Sequence, residues 1–223
     1  MMEKTMNDLL LTNFIIFIFI NSVTPGPNNL MLLHGGLKVG FRACYQHLFG
    51  ISAGLVVMLA FSYLGMAIIV TRLPVVMTGL KIVGTIYLLW LARHMWIDGI
   101  VPDDKVLTSE QQVTKTGRFK RYFQRWMLPL NVWQAALFQW VNPKAWLMVA
   151  VAPSMYLITG EQPLLDNLPL CALAFIINLC SIAVWAAGGH SLQQLLHKQR
   201  LMHIIHIVIV LMTVYCGVSL WLD

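Results

Sequence analysis

Charge is distributed along this chain in blocks, and the blocks predict its elements. No Asp, Glu, Lys or Arg occurs from Leu9 to Leu37, from Ala43 to Thr71, from Asn167 to His197, or from Leu201 to Leu222. Each run exceeds the ~18 apolar residues that mark a membrane-spanning helix. A fifth apolar stretch covers residues 78–96, with Lys81 and Arg93 near its ends. A sixth covers 126–160 and is interrupted only by Lys144. All six are expected to be helical, because lipid offers no partner for an unpaired backbone group.

Composition agrees. Of 223 residues, 58% are hydrophobic and 11% charged, whereas a soluble domain carries about 25% charged residues. So little charge cannot cover a water-soluble globule, which argues against a soluble enzyme, a nucleic-acid binder or a disordered chain. The length suits one domain of about six spans. Cys44, Cys171, Cys180 and Cys216 all lie in apolar stretches without a C-x-x-C pair, and read as small buried hydrophobes. The net charge of +6 reads as a topology signal rather than as affinity for nucleic acid.

The basic residues are asymmetric. Lys38 and Arg42 follow span one; Arg93, Lys105, Lys115, Arg118, Lys120, Arg121 and Arg125 follow span three; Lys198 and Arg200 follow span five. The other side holds Lys4, Arg72 and Lys81. The excess places loops one, three and five in the cytoplasm and both termini outside. The N-terminal run ends in Thr24-Pro25-Gly26-Pro27 rather than a small-residue cleavage site, so it reads as a first span and not a removed leader.

The polar stretch 98–125 divides the chain into residues 9–97 and 126–222, three spans each. The first span of each half is broken. Two prolines and a glycine interrupt span one at residues 25–27, because proline lacks a donor and clashes with the preceding turn. Thr24 reads as the N-cap of a new helix with Pro25 at its first position. Asn142-Pro143 repeats that cap-then-proline pattern in segment four. Three is odd, so the halves would lie in opposite orientations. The fold class is then an all-α integral membrane protein, six transmembrane helices in a 3+3 inverted repeat within one transporter domain. Paired interrupted helices point to the binding site of such a transporter.

Two helix starts inside the bilayer would direct unpaired N–H groups and partial positive charge at one anion, for which a substrate carboxylate is suited. Lys144 in the first turn opposes its own helix dipole, and an anionic substrate group would explain it. The candidate substrate-binding residues are Asn21, Thr24, Pro25, Gly26, Pro27, Asn28, Gln139, Asn142, Pro143 and Lys144. A second reading stays open for segment four: Pro143 begins the span at the membrane surface, Lys144 snorkels to headgroups, and residues 126–141 form an interfacial helix.

Thr24-Pro25-Gly26-Pro27-Asn28, the glycine run from Gly35 to Gly40 with Arg42, the stretch Leu80–Leu91 and Val141-Asn142-Pro143-Lys144-Ala145 resemble the lysine exporter (LysE/RhtB) family of amino-acid exporters in order and spacing. The resemblance implies a bacterial inner-membrane protein that exports amino acids or close derivatives on an ion gradient, most readily protons. It implies Thr24 to Pro27 and Asn142 to Lys144 as functional positions. One departure stands out. No carboxylate lies inside a span; Asp8, Asp98, Glu161 and Asp166 sit at edges. Proton carriers usually use intramembrane Asp, Glu or His, which leaves His47 and then His34 as ion-coupling candidates. The missing counter-charge also argues for a small neutral substrate over a cationic one.

Rival readings are an intramembrane enzyme and a channel or structural subunit. No G-x-S-x-G or H-E-x-x-H motif occurs, and His203 with His206 lacks a third ligand of metal-site type. No catalytic residue, metal or cofactor is therefore expected. Gly50 and Gly54 form a G-x-x-x-G pair that suits close helix packing within the chain or in a homodimer. Trp133, Trp140 and Trp146 suit an interface belt or the wall of a pathway.

Overall fold

The computed structural model describes residues 2–65, 72–98, 130–158, 162–193 and 199–222. Nearly all of the linker 98–125 lies outside them. The described residues are helical, without strands. Helix α1 (Met2–Val23) and α2 (Pro27–Val39) meet at a bend of 56°. A 3-10 turn (Phe41–Cys44) leads into α3 (Tyr45–Tyr63), followed by α4 (Pro74–Asp98). The second part of the chain supplies α5 (Val132–Trp140), α6 (Pro143–Met155), the short α7 (Pro163–Asp166), α8 (Leu168–Gln193) and α9 (Gln199–Ser219). Phe41–Tyr63, Pro74–Arg93 and Leu168–Leu192 are each long and apolar enough to cross a membrane, and the bent α1–α2 pair adds a fourth such span.

Close packing depends on small residues. The α2–α8 contact is the most extensive between helices. There Gly36 lies against the Ala186 carbonyl and Gly189 against the Leu33 carbonyl, with no room for a Cβ at either. Gly50 and Gly54 of α3 receive Val132, Ala135 and Ala136 of α5. The G-x-x-x-G pair is thus used inside the chain. Small residues allow such approach where lipid supplies no hydrophobic drive between helices.

The order of contacts along α3 locates segment four. Val132 and Ala135 sit at Gly50, Ala136 and Gln139 at Gly54, and Val149 at Ser62, whose hydroxyl donates to the Val149 carbonyl. Helices α5 and α6 therefore run alongside α3 in the same direction, and their junction at residues 141–142 falls beside its middle. An Asn131–Gln134 capping box starts α5, consistent with its being a helix in its own right.

Among the described residues the interior has a small apolar cluster of Leu30, Leu88 and Cys216 and two large ones. One gathers Met31, Leu32, Leu37, Leu48, Ile51, Ala135, Ile182 and Ala186 with Leu91 and Ile209. The other gathers Phe14, Ile18, Leu55, Met58, Leu59, Ala145, Met148, Val149 and Ala174. On α1–α2, on α3, on α5–α6 and on α8, the residues between the clusters are buried and polar: Ser22, Asn28 and Asn29; Ser52; Gln139 and Asn142; Asn178. Both breaks lie in this polar layer. All four cysteines are free; Cys44, Cys171 and Cys216 are buried as expected, while Cys180 faces outward.

Overpacking typically costs about 1–3 kcal/mol, so Gly189→Ala should lower the thermal midpoint of the detergent-solubilised protein by several degrees. Gly188→Ala, whose Cβ would meet only Leu33 Cδ1 at 3.9 Å, should leave the midpoint unchanged or raised, given alanine's helix propensity.

Candidate functional site

The site forms where α1 ends. A helix leaves its last carbonyls without intrahelical partners, and here side chains from elsewhere reach them. Asn29 Nδ2 donates to the Ser22 carbonyl at 2.8 Å and the Thr24 carbonyl at 2.7 Å. Trp185 Nε1 donates to the Val23 carbonyl at 2.9 Å. Lys144 Nζ donates to the Thr24 carbonyl at 2.9 Å, to Thr24 Oγ1 at 2.9 Å and to the Pro25 carbonyl at 3.2 Å. The ammonium has three donors, and all three meet oxygen. It also faces the negative end of the α1 dipole, which offsets its unfavourable place in the first turn of α6.

Two expectations need correction. Thr24 does not cap α2. The N-cap is Gly26, with no side-chain hydrogen bond, and Pro27 is the first helical residue. Thr24 Oγ1 instead donates to the Asn21 carbonyl while accepting from Lys144. Nor are the two helix starts equivalent. Asn142 Oδ1 accepts from the Lys144 N–H at 3.1 Å, and the Ala145 N–H bonds the Asn142 carbonyl. The start of α6 is thus capped from within. Gly26, lacking a side chain, leaves the start of α2 uncapped by its own residue.

A small cavity of about 40 Å³ occupies the polar layer. Asn21, Gly26, Pro27, Asn28, Gln139, Asn142 and Lys144 line it, with Ser22, Asn29, Asn178 and apolar walls from Ile51, Leu55, Met148 and Ile182. Of the ten binding residues expected, seven therefore meet at one place. Thr24 and Pro25 lie outward, joined to it through Lys144; Pro143 starts α6 and packs towards Gly84. A space this size holds water-sized groups only, so an amino acid needs the walls to part.

Gln139 is the hub. Its Oε1 accepts from Asn28 Nδ2 at 2.8 Å and from Asn142 Nδ2 at 3.3 Å, and its Nε2 donates to the Ile51 carbonyl at 3.3 Å. A second chain runs from Ser52 Oγ to Asn178 Oδ1 at 2.9 Å, and from Asn178 Nδ2 to Ser22 Oγ at 2.9 Å. Ser22, Asn29, Ser52, Asn178 and Trp185 were not among the expected site residues. Asn178, an asparagine in the middle of an apolar run, carried the clearest signal. His34 and His47 are buried but do not line the cavity. Trp133 is exposed, whereas Trp140 and Trp146 pack edge to face, with Phe61 against Trp140.

Composition, helix lengths and this buried polar layer define a helical membrane protein. The family model of the LysE type translocator matches residues 19–223, and the chain belongs to that family. It is accordingly a transporter and not an enzyme. Similar proteins include two named cysteine/O-acetylserine efflux protein: one from Salmonella choleraesuis (strain SC-B67), 31% identical over 218 residues, and one from Shigella flexneri, 29% identical over 217. In both comparisons 97% of this chain and 100% of the relative are covered. No solved structure matches the chain.

A Cβ on Gly26 would lie 3.3 Å from both Cδ and Nζ of Lys144. Gly26→Val should therefore displace the lysine and lower transport about tenfold or more, with the yield of folded protein unchanged by size-exclusion chromatography.

Proposed function

We propose that this chain exports a small neutral amino acid, or a close derivative such as O-acetylserine, across the bacterial inner membrane by secondary active transport. The observation that carries the reading is Lys144. A cation from one half of the chain is seated on the broken helix of the other, at the wall of a cavity between two apolar clusters. A substrate carboxylate competes with the Thr24 and Pro25 oxygens for the ammonium, and the uncapped start of α2 adds backbone donors. Substrate binding thereby loosens the tie between the halves, and parting one apolar cluster or the other opens the site to one side. Amino-acid export fits the names of the relatives.

In this reading α1–α2 and α5–α6 are the broken first spans of a 3+3 inverted repeat, residues 9–97 and 126–222. Loops one, three and five are cytoplasmic and both termini lie outside. The coupling ion is a proton. His47 is its first carrier and His34 its second. His47 is fully buried with neither ring nitrogen hydrogen-bonded, and precedes the cavity residue Ile51 by one turn on the same face of α3. The further partners are membrane lipids; a homodimer would use a face other than Gly50–Gly54, which α5 fills.

Inside-out vesicles test this. Labelled cysteine or O-acetylserine should be taken up saturably and collapse when the proton gradient is dissipated; uptake that survives loss of every ion gradient contradicts secondary transport. Lys144→Ala should abolish uptake at normal protein yield. His47→Gln should leave exchange of internal for external substrate intact while removing gradient-driven accumulation.

A further inference from the structure

One buried acceptor on a residue of the cavity wall has no role in the network just described. Asn28 is 6% exposed, and no donor reaches its Oδ1. Such groups are rare in native structures, because a buried acceptor left unpaired loses its bonds to water without replacement. The orientation of the amide is fixed by its surroundings. Asn28 Nδ2 donates to Gln139 Oε1, which already accepts from Asn142, and Gln139 Nε2 is committed to the Ile51 carbonyl. Flipping the Asn28 amide would set its oxygen against Gln139 Oε1. Asn28 therefore presents an oxygen, and only an oxygen, beyond this relay.

The cavity thus has two complementary polar poles. Lys144 Nζ is donor only and Asn28 Oδ1 is acceptor only, and both residues line the same space. An α-amino acid carries the matching pair: a carboxylate that only accepts and an ammonium that only donates. No acidic side chain lines this cavity, so a carbonyl oxygen is the group available for the ammonium. The rest of the wall near the poles, Ile51, Leu55, Met148 and Ile182, is apolar and makes no polar demand on a side chain.

We propose that Asn28 Oδ1 accepts a hydrogen bond from the substrate α-ammonium, so that the site reads both charged ends of an α-amino acid and discriminates against carboxylates that lack the amine. This rests on the transport reading above and adds to it the group that enforces amino-acid identity. With a neutral acceptor, recognition is confined to the two charged groups that all α-amino acids have in common.

The test compares cysteine with 3-mercaptopropionate, the same molecule without its amine, as inhibitors of labelled cysteine uptake in inside-out vesicles. In the wild type, 3-mercaptopropionate should be weaker by about tenfold or more, the usual scale of a hydrogen bond to a charged group. In Asn28→Ala the difference should shrink to within about threefold, mainly through weaker cysteine binding. Asn28→Leu, close in size, serves if the alanine variant does not accumulate. Asn28→Asp, which keeps an acceptor, should retain the preference for cysteine. Full discrimination in Asn28→Ala or Asn28→Leu overturns the role of Asn28 while leaving transport standing. No cysteine uptake by the wild type, nor by it of any other small amino acid, overturns both.

Discussion

A helix that stops inside a membrane protein exposes carbonyls that lipid cannot satisfy, and the architecture of this transporter follows from that constraint. Helix α1 ends at Val23, and the oxygens of residues 22 to 25 are met by Asn29, Trp185 and Lys144. These donors come from α2, α8 and α6, so satisfying one helix end draws three others to the same point. The arrangement is polar by necessity. It places a lysine, two helix breaks and a cavity between the two large apolar clusters.

The same constraint accounts for the chemistry. Lys144 is tolerated because three oxygens surround it and it faces a helix dipole. Those ligands are neutral, and a carboxylate is a stronger acceptor than a carbonyl or hydroxyl. A substrate carboxylate, as proposed, is therefore a better partner for the ammonium than those oxygens. In the proposed mechanism, loss of its bonds to Thr24 and Pro25 on binding acts on the interface between the two parts of the chain, since Lys144 belongs to one and Thr24 to the other. A ligand shifts a conformational equilibrium only by its differential affinity for the two states, and this exchange of partners is a concrete source of such a difference.

Much of this was legible in the chain. Prolines in corresponding apolar runs marked both breaks, and a lone cation in the second run marked Lys144. The Gly50–Gly54 spacing marked a close contact. Other features were not legible, for physical reasons. Pro25 and Pro27 both suit the first turn of a helix; Gly26 between them is extended, as a residue before proline prefers, and α2 starts at Pro27. The contacts of Lys144 to the Thr24 and Pro25 carbonyls reach across 119 or more residues, which no local pattern reveals. Partners that are backbone carbonyls carry no side-chain signature, so the sequence offered Lys144 only a substrate anion or lipid headgroups. Asn142 and Pro143 were legible as the cap and first residue of α6; that this cap satisfies the Lys144 N–H from within is a matter of side-chain geometry. Ser22 and Ser52 are ordinary residues in apolar helices; only the fold brings them to Asn178.

The central claim is that substrate carboxylate and the broken end of α1 compete for Lys144. An experimental structure with cysteine or O-acetylserine bound tests it most directly. The account predicts the carboxylate within hydrogen-bond distance of Lys144 Nζ, with at least one of the 2.9 Å contacts to the Thr24 carbonyl and hydroxyl broken. A carboxylate bound elsewhere, with Lys144 still seated on Thr24 and Pro25, would contradict it.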